Sequence, residues 1–308
     1  PYRNPQLSDG PKGEYLTDRL TDEAVKFIET NKSKRFFLYL THYAVHTPIQ
    51  GKPDLVEKYK GKKPSNGQGN ATYAAMVDST DQSVGRVLKT LDELDLAKNT
   101  VVIFFSDNGG YGPATSMKPL RGSKGMLYEG GIREPLTIRW PGRVKPGSRC
   151  DVPVIGVDLY PTLLEATGAT VPKNKPLDGE SLVPLLTQSG SLKRDALYWH
   201  FPCYLQAYRG ISSPFRTTPA AAIRIGNYKL LEFFEDGRRE LYDLSSDIGE
   251  TKNLLKSHPE KAKELHDRML AWRKAVNAPV PRTPNPKYDP NAKWPPGKRK
   301  GKKKKSKG

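Results

Sequence analysis

Three short stretches of this chain carry residues able to do chemistry. The first, Ser106-Asp107-Asn108-Gly109-Gly110, ends an apolar run from Val101 to Phe105. A carboxylate and an amide oxygen side by side suit a hard cation such as Ca²⁺ or Mg²⁺, which takes oxygen ligands. The glycines let the backbone turn tightly and come close to a bound group. The same residues also read as an Asp-Asn-Gly turn that only reverses the chain. The second stretch, Thr41-His42-Tyr43-Ala44-Val45-His46-Thr47-Pro48, delivers His46 after a second candidate strand, Arg35 to Leu40. The third, Gly122-Ser123-Lys124-Gly125, puts a lysine in a glycine loop. A cation held by oxygens, a Lys in such a loop and a His after a parallel strand would surround a tetrahedral oxyanion with positive charge, which suits phosphoryl or sulfuryl transfer. Taken singly, each residue has an ordinary structural role open to it.

The elements that must position these residues follow from hydrophobic periodicity. Val101 to Phe105, rich in β-branched and aromatic residues, has the signature of a strand buried on both faces and parallel to its neighbours. Arg35 to Leu40 reads as a second buried strand. Asp18 to Thr30 is an amphipathic helix with Leu20, Ala24, Phe27 and Ile28 inward. Thr72 to Leu94 is a longer one with Tyr73, Met76, Val77, Val84, Leu88 and Leu91 near one stripe, and its Asp78 and Asp81 read as locally satisfied polar residues. Residues 51–69 read as a surface excursion. Strand, helix and strand at this spacing predict an α/β domain. The stretch 118–131 is too rich in glycine for a long element and reads as a loop over the site. Pro135 to Trp140 is a short strand, and Asp158 caps a helix that Gly168 stops. From about Ser189 the texture changes to short strands at Ala196 to Phe201, Ala221 to Ile225, Tyr228 to Phe234 and Glu240 to Leu244, with an Asp236-Gly237 hairpin signal. A helix at Pro259 to Val276 closes a small α+β subdomain.

The chain has 308 residues, 36% of them hydrophobic, and a net charge of +18. No apolar run is long enough to span a membrane. Half the charge excess sits between Lys287 and Lys307, where ten Lys or Arg stand against Asp289 alone. The Pro- and Lys-rich segment 278–308 therefore reads as a disordered basic tail, able to contact polyanions or merely to solubilise. Cys150 and Cys203 show no paired metal spacing.

Taken in order, the motifs resemble a family closely. Phe36 to Leu40 leading into His46-Thr47-Pro48, then Phe105 to Gly109, Gly122 to Gly125 and Tyr128-Glu129-Gly130-Gly131-Ile132-Arg133-Glu134-Pro135, look like a type I, formylglycine-dependent sulfatase, arylsulfatase A-like, of the alkaline phosphatase superfamily. Asp158 to Leu164, Asp178 to Leu182 and Leu241 to Leu244 continue the match. The resemblance implies an alkaline phosphatase-like mixed sheet flanked by helices, here incomplete, over residues 1–188, and an α+β subdomain over 189–277. It implies Ca²⁺ ligation by Asp107 and Asn108. It also implies sulfate contact and leaving-group stabilisation by Lys124 and His46, with Arg121, Glu129 and Arg133 organising the loop. The substrate class is a sulfated small molecule or glycan, and the location is periplasmic or secreted. His200, Tyr204, Tyr208 and Arg209 are candidates for the substrate mouth, with packing or surface roles the alternative.

The family nucleophile lies in a Cys/Ser-x-Pro-x-Arg motif ahead of these segments, as do the family's other metal ligands, an Asp pair, and a further Lys and His, and none of these is visible before Arg35. Ser212-Ser213-Pro214-Phe215-Arg216 fits the pattern but follows the metal motif and lacks the family's Thr-Gly-Arg continuation. The expectation is therefore the carboxyl-terminal portion of a sulfatase, lacking its nucleophile segment and inactive alone. Alternatives are a phosphodiesterase or phosphonate hydrolase of the same superfamily, or a non-enzymatic polyanion-binding protein.

Overall fold

The computed structural model describes residues 7, 8, 10–171, 173–207 and 215–291. Three helices pack first: α1 (Leu16–Asn31), α2 (Pro53–Lys60) and α3 (Ala71–Glu93). The predicted excursion at 51–69 thus contains a helix. Pro53 opens it, Asp54 and Lys58 complement its dipole, and Leu55 is buried in its packing against α3. Asn70 caps α3 by accepting a hydrogen bond from Tyr73 N at 3.1 Å. The buried side of α3 is more polar than the apolar stripe predicts. Ala75, Met76, Ser79, Ser83, Thr90 and Leu91 are buried, whereas Val77 faces out. Small side chains there let α1 approach closely, and Thr21 of α1 donates to Ser83 at 2.6 Å. Asp78 accepts from Lys58 and Tyr59, a local structural role.

Strand β1 (Val102–Phe105) pairs with β2 (Leu136–Arg139), and the pairing is antiparallel. Both predicted properties of β1 are corrected: its ladder partner among the described residues is not parallel, and Phe104 and Phe105 are 43% and 39% exposed. Residues 35–40 form no ladder with any of the described residues. Their alternation is nevertheless that of a strand. Phe36 and Leu38 pack on a cluster of Ile28, Leu91 and Ala97, whereas Phe37 and Tyr39 are 70% and 79% exposed. An extended segment becomes a strand only when its N–H and C=O groups find a second one.

After the short helix α4 (Glu129–Ile132) and β2 comes α5 (Leu159–Thr167), stopped by Gly168 in the left-handed region at φ 68°. Asp158 is not a simple cap. Fully buried, it accepts from Ile155 N, Glu180 N and both arms of the Arg194 guanidinium, fastening three segments. Helix α6 (Val183–Leu186) leads into the last part. There β3 (Ala196–Phe201), β6 (Ala220–Ile225), β7 (Tyr228–Phe233) and β8 (Arg239–Asp243) form an antiparallel sheet in that order, with β4 (Leu205–Ala207) and β5 (Phe215–Thr217) as a separate hairpin. The sheet is covered on both faces. Helix α7 (Pro259–Ala275) sets Ala262, Leu265 and Met269 against Ile223, Leu230 and Leu241. Leu231, Phe233 and Tyr242, on the other face, meet Leu127 and Tyr128 of the glycine-rich loop. Residues 279 and 285, in the predicted tail, accept from His200 and donate to Glu235 respectively. Residues from 292 onward, and Tyr208, Arg209 and Ser212, lie outside the described residues.

Candidate active site

The turn after β1 and the lysine loop meet backbone to backbone. Lys124 N donates to Gly110 O at 3.0 Å, and Gly109 N donates to Gly131 O at 3.1 Å. A Cβ on Gly109 would lie 2.0 Å from Gly130 O and 2.8 Å from the Gly131 Cα, so only glycine allows this approach. Asp107, exposed, and Asn108, half-buried, are thereby held beside the loop that carries Lys124. Glu134 stands on the same side. Its carboxyl is pushed up to about 7 by burial and by the charge of Asp107, with Ser106 opposing, and its Oε1 is buried without a hydrogen-bond partner.

The lysine loop is fixed from the carboxyl-terminal subdomain. The Arg121 guanidinium lies 3.9 Å from the Tyr128 ring centroid and donates to Tyr242 Oη at 2.8 Å and to Glu250 O at 2.9 Å. Tyr128 and Tyr242 both donate to Glu240 Oε2 at 2.8 Å. Burial, reinforced by the Glu240 carboxylate, raises both phenols above their ordinary range. Beneath them Lys229, from β7 and fully buried, donates to Glu129 Oε1 at 2.9 Å and lies 2.8 Å from Glu250 Oε1. Burial works to raise Glu129, but Lys229, Arg224 and Arg133 hold it below the usual range, whereas burial keeps Glu250 raised. Leu205 and the Arg216 side chain lie against Gly125, and the Arg216 guanidinium is 5.6 Å from the Tyr111 ring centroid.

His46 is exposed and makes its contacts within its own loop: Nδ1 is 2.8 Å from Thr47 O, and the ring is 5.2 Å from that of Tyr43. That loop is tethered by His42, whose Nε2 is 2.9 Å from Ser83 Oγ and whose pKa burial pushes down. The structure therefore joins the segments that carry Asp107, Asn108 and Lys124 through backbone hydrogen bonds and sets His46 on a separate loop. Sequence reading missed the contributions of Lys229, Glu250 and Arg216, because they come from the distant subdomain. Lys229 shares the segment Tyr228 to Phe233 with a second charged residue, Glu232, so its type alone gives no signal of this role. His200 faces Phe234 and Trp272 and contacts Pro279 O, and Tyr204 donates to Glu235, so both sit within the subdomain's own packing.

Among the described residues no group of three or more His, Cys, Asp or Glu side chains converges. The donors at the turn are nonetheless oxygens, one carboxylate and one amide, with the buried Glu134 Oε1 unsatisfied nearby, which fits a hard cation rather than a thiolate- or imidazole-seeking one. Cys150 and Cys203 are both free and exposed. No described helix is long and apolar enough to cross a membrane.

The fold is that of an α/β domain of the alkaline phosphatase type, with a small carboxyl-terminal subdomain packed on the lysine loop. The Sulfatase family model matches residues 1–169, over half of the chain, and the model for the carboxyl-terminal region of N-sulphoglucosamine sulphohydrolase matches residues 123–275. The chain belongs to the sulfatase family. It is 38% identical to a sulfatase of Formosa agariphila, over 94% of this chain and 57% of that protein. It is 30% identical to the N-acetylgalactosamine-6-O-sulfatase of Bacteroides thetaiotaomicron, over 83% of this chain and 50% of that one. The crystal structure of Ps i-CgsB in complex with k-i-k-neocarrahexaose superposes with a TM-score of 0.74 at 31% identity, covering 87% of this chain and 56% of that one. The chain thus spans about half the length of these relatives. The match over residues 1–169 corrects the expectation that the chain is only the carboxyl-terminal portion of a sulfatase, lacking its nucleophile segment. That expectation rested on a few short signatures, the nucleophile motif and the family's other ligand and charged positions, whereas the match draws on the whole of residues 1–169.

Proposed function

We propose that the protein is a sulfuric ester hydrolase acting on a sulfated saccharide. The observation that carries this reading is the 3.0 Å bond from Lys124 N to Gly110 O, which joins the lysine's loop to the strand-end turn that carries a carboxylate and an amide. Asp107 and Asn108 supply two oxygen ligands to Ca²⁺, which when bound withdraws negative charge from the sulfate oxygens. Lys124 binds a sulfate oxygen and meets the charge that builds on the leaving oxygen as the S–O bond breaks. His46, carried on its own exposed loop, is assigned the protonation of the departing alcohol. The saccharide preference is supported by two relatives at 30% identity or more, one named for a sulfated amino sugar and one crystallised with a hexaose. A sulfated polymer does not cross a membrane, so periplasmic or secreted location goes with it, and the basic tail would then meet the same polyanion.

The test is turnover of 4-nitrophenyl sulfate and of galactosamine-6-sulfate by wild type and Lys124→Ala, with bis-4-nitrophenyl phosphate and a phosphonate ester as competitors. The expected result is sulfate-ester hydrolysis that falls at least about 100-fold in the variant, the usual cost of removing one transition-state charge partner. Preference for the phosphoryl substrates, or turnover indifferent to Lys124, overturns the reading. Calorimetric Ca²⁺ binding that survives Asp107→Ala removes the metal assignment.

A further inference from the structure

We propose that Lys229, in the carboxyl-terminal sheet, is a positioning residue that holds the Lys124 loop in register with the Asp107–Gly110 turn. The contact between these two segments is made by glycine backbone. Gly109 meets Gly130 and Gly131, while a Cβ on Gly130 would lie 2.5 Å from Arg121 O and one on Gly131 2.1 Å from Met126 O. Such surfaces have no side chains to interlock, so sliding of one past the other is opposed only by a few backbone hydrogen bonds. Arg121 and Tyr128 tie the flanks of the loop to the subdomain, and a buried grip lies one residue further along. Glu129, next to Gly130, is gripped twice: its N–H donates to Glu250 Oε2 at 2.7 Å, and its carboxylate takes the Lys229 ammonium at 2.9 Å.

All three side chains are buried, and an ammonium between two carboxylates has one place to sit. Arg133 and Arg224, at 3.4 and 3.8 Å from Glu129 Oε2, supply further positive charge, so the cluster is not left with an excess of buried anion. Glu250 is held in the left-handed region at φ 51°, a costly conformation for a residue other than glycine, and its Oε1 is close to Lys229 without a hydrogen-bonding direction. The fold tolerates both to put that carboxylate against the Glu129 N–H. Lys229 itself is rooted in β7 between β6 and β8, the most buried part of the subdomain. The subdomain is thereby a rigid reference for a loop that lacks internal packing.

The proposal rests on the assignment of Lys124 to the site, but its test does not use that assignment. Amide hydrogen exchange is measured for Lys229→Met, Glu250→Gln and the double variant. In Lys229→Met the amides of Gly109, Lys124 and Gly130 are expected to lose protection by on the order of 100-fold while those of α1 and α3 hold theirs. Glu250→Gln keeps an acceptor for Glu129 N and should cost about tenfold or less at the same amides. The double variant, with Glu129 left to Arg133 and Arg224, should recover most of the loss. A uniform fall across α1, α3 and the loop, or no change at Gly109 and Lys124, overturns the proposal; if Lys229→Met does not fold, Glu250→Gln decides on the same criterion. Sulfate-ester turnover measured alongside separates the two readings. A loosened loop with unchanged kcat keeps the anchor and refutes the role of Lys124, whereas kcat lost over an unchanged loop refutes the anchor.

Discussion

Gly109→Ala is the perturbation to which the site is most exposed. The added methyl carbon would stand 2.0 Å from Gly130 O, where ordinary contact begins at 3.4 Å, so turn and loop must separate by about 1.4 Å. Both neighbouring groups are backbone, and neither can swing aside as a side chain would. Overpacking of this kind costs about 1–3 kcal/mol, and the separation also breaks the 3.1 Å bond from Gly109 N to Gly131 O, worth about 1 kcal/mol. The expected destabilisation is about 3 kcal/mol. Because Asp107 and Lys124 move apart by more than 1 Å, kcat/KM for a sulfate ester falls about 100-fold. The control is Gly85→Ala in α3, where a Cβ meets nothing within 4 Å. There the same change relieves the unfolded chain of entropy and stabilises by about 0.5–1 kcal/mol. Urea denaturation of both variants checks the pair. If Gly109→Ala lies within about 0.5 kcal/mol of wild type while Gly85→Ala behaves as stated, the close approach of turn and loop is wrong.

Arg194→Met leaves the fully buried Asp158 without its bidentate partner and is expected to destabilise by about 3–5 kcal/mol, read by urea denaturation. Glu134 gives a pH signature. Its carboxyl titrates near 4.5 when unfolded and is pushed up to about 7 in the fold by burial, with Asp107 adding to the rise. Between those values the folded protein binds more protons, so stability falls as pH rises from about 4.5 to about 7. Glu134→Gln should flatten that part of a thermal-melt series, and Ca²⁺, by neutralising Asp107, should shrink the slope in wild type alone.

What the residues disclose depends on whether the deciding interaction is near in sequence. The span Ala196 to Phe201 and the helix at Pro259 are legible to within a residue because periodicity and a proline at the first turn decide them locally. Arg35 to Leu40 shows the limit. Its inward Phe36 and Leu38 follow strand periodicity, but a ladder needs a second chain segment that no local pattern specifies. Asp107, Asn108 and Lys124 announce themselves by type, and the glycines around them announce close approach without saying to what. The answer is to one another, and that has a cost in specificity. Surfaces without side chains cannot select one relative position by packing, so selection passes to whatever grips the loop from outside. Here the buried part of that grip is a lysine 100 residues from Glu129 in the chain, which in its own strand looks like any outward polar residue. Its meaning exists only in the folded cluster, where burial makes an unpaired charge too costly to leave in any other arrangement.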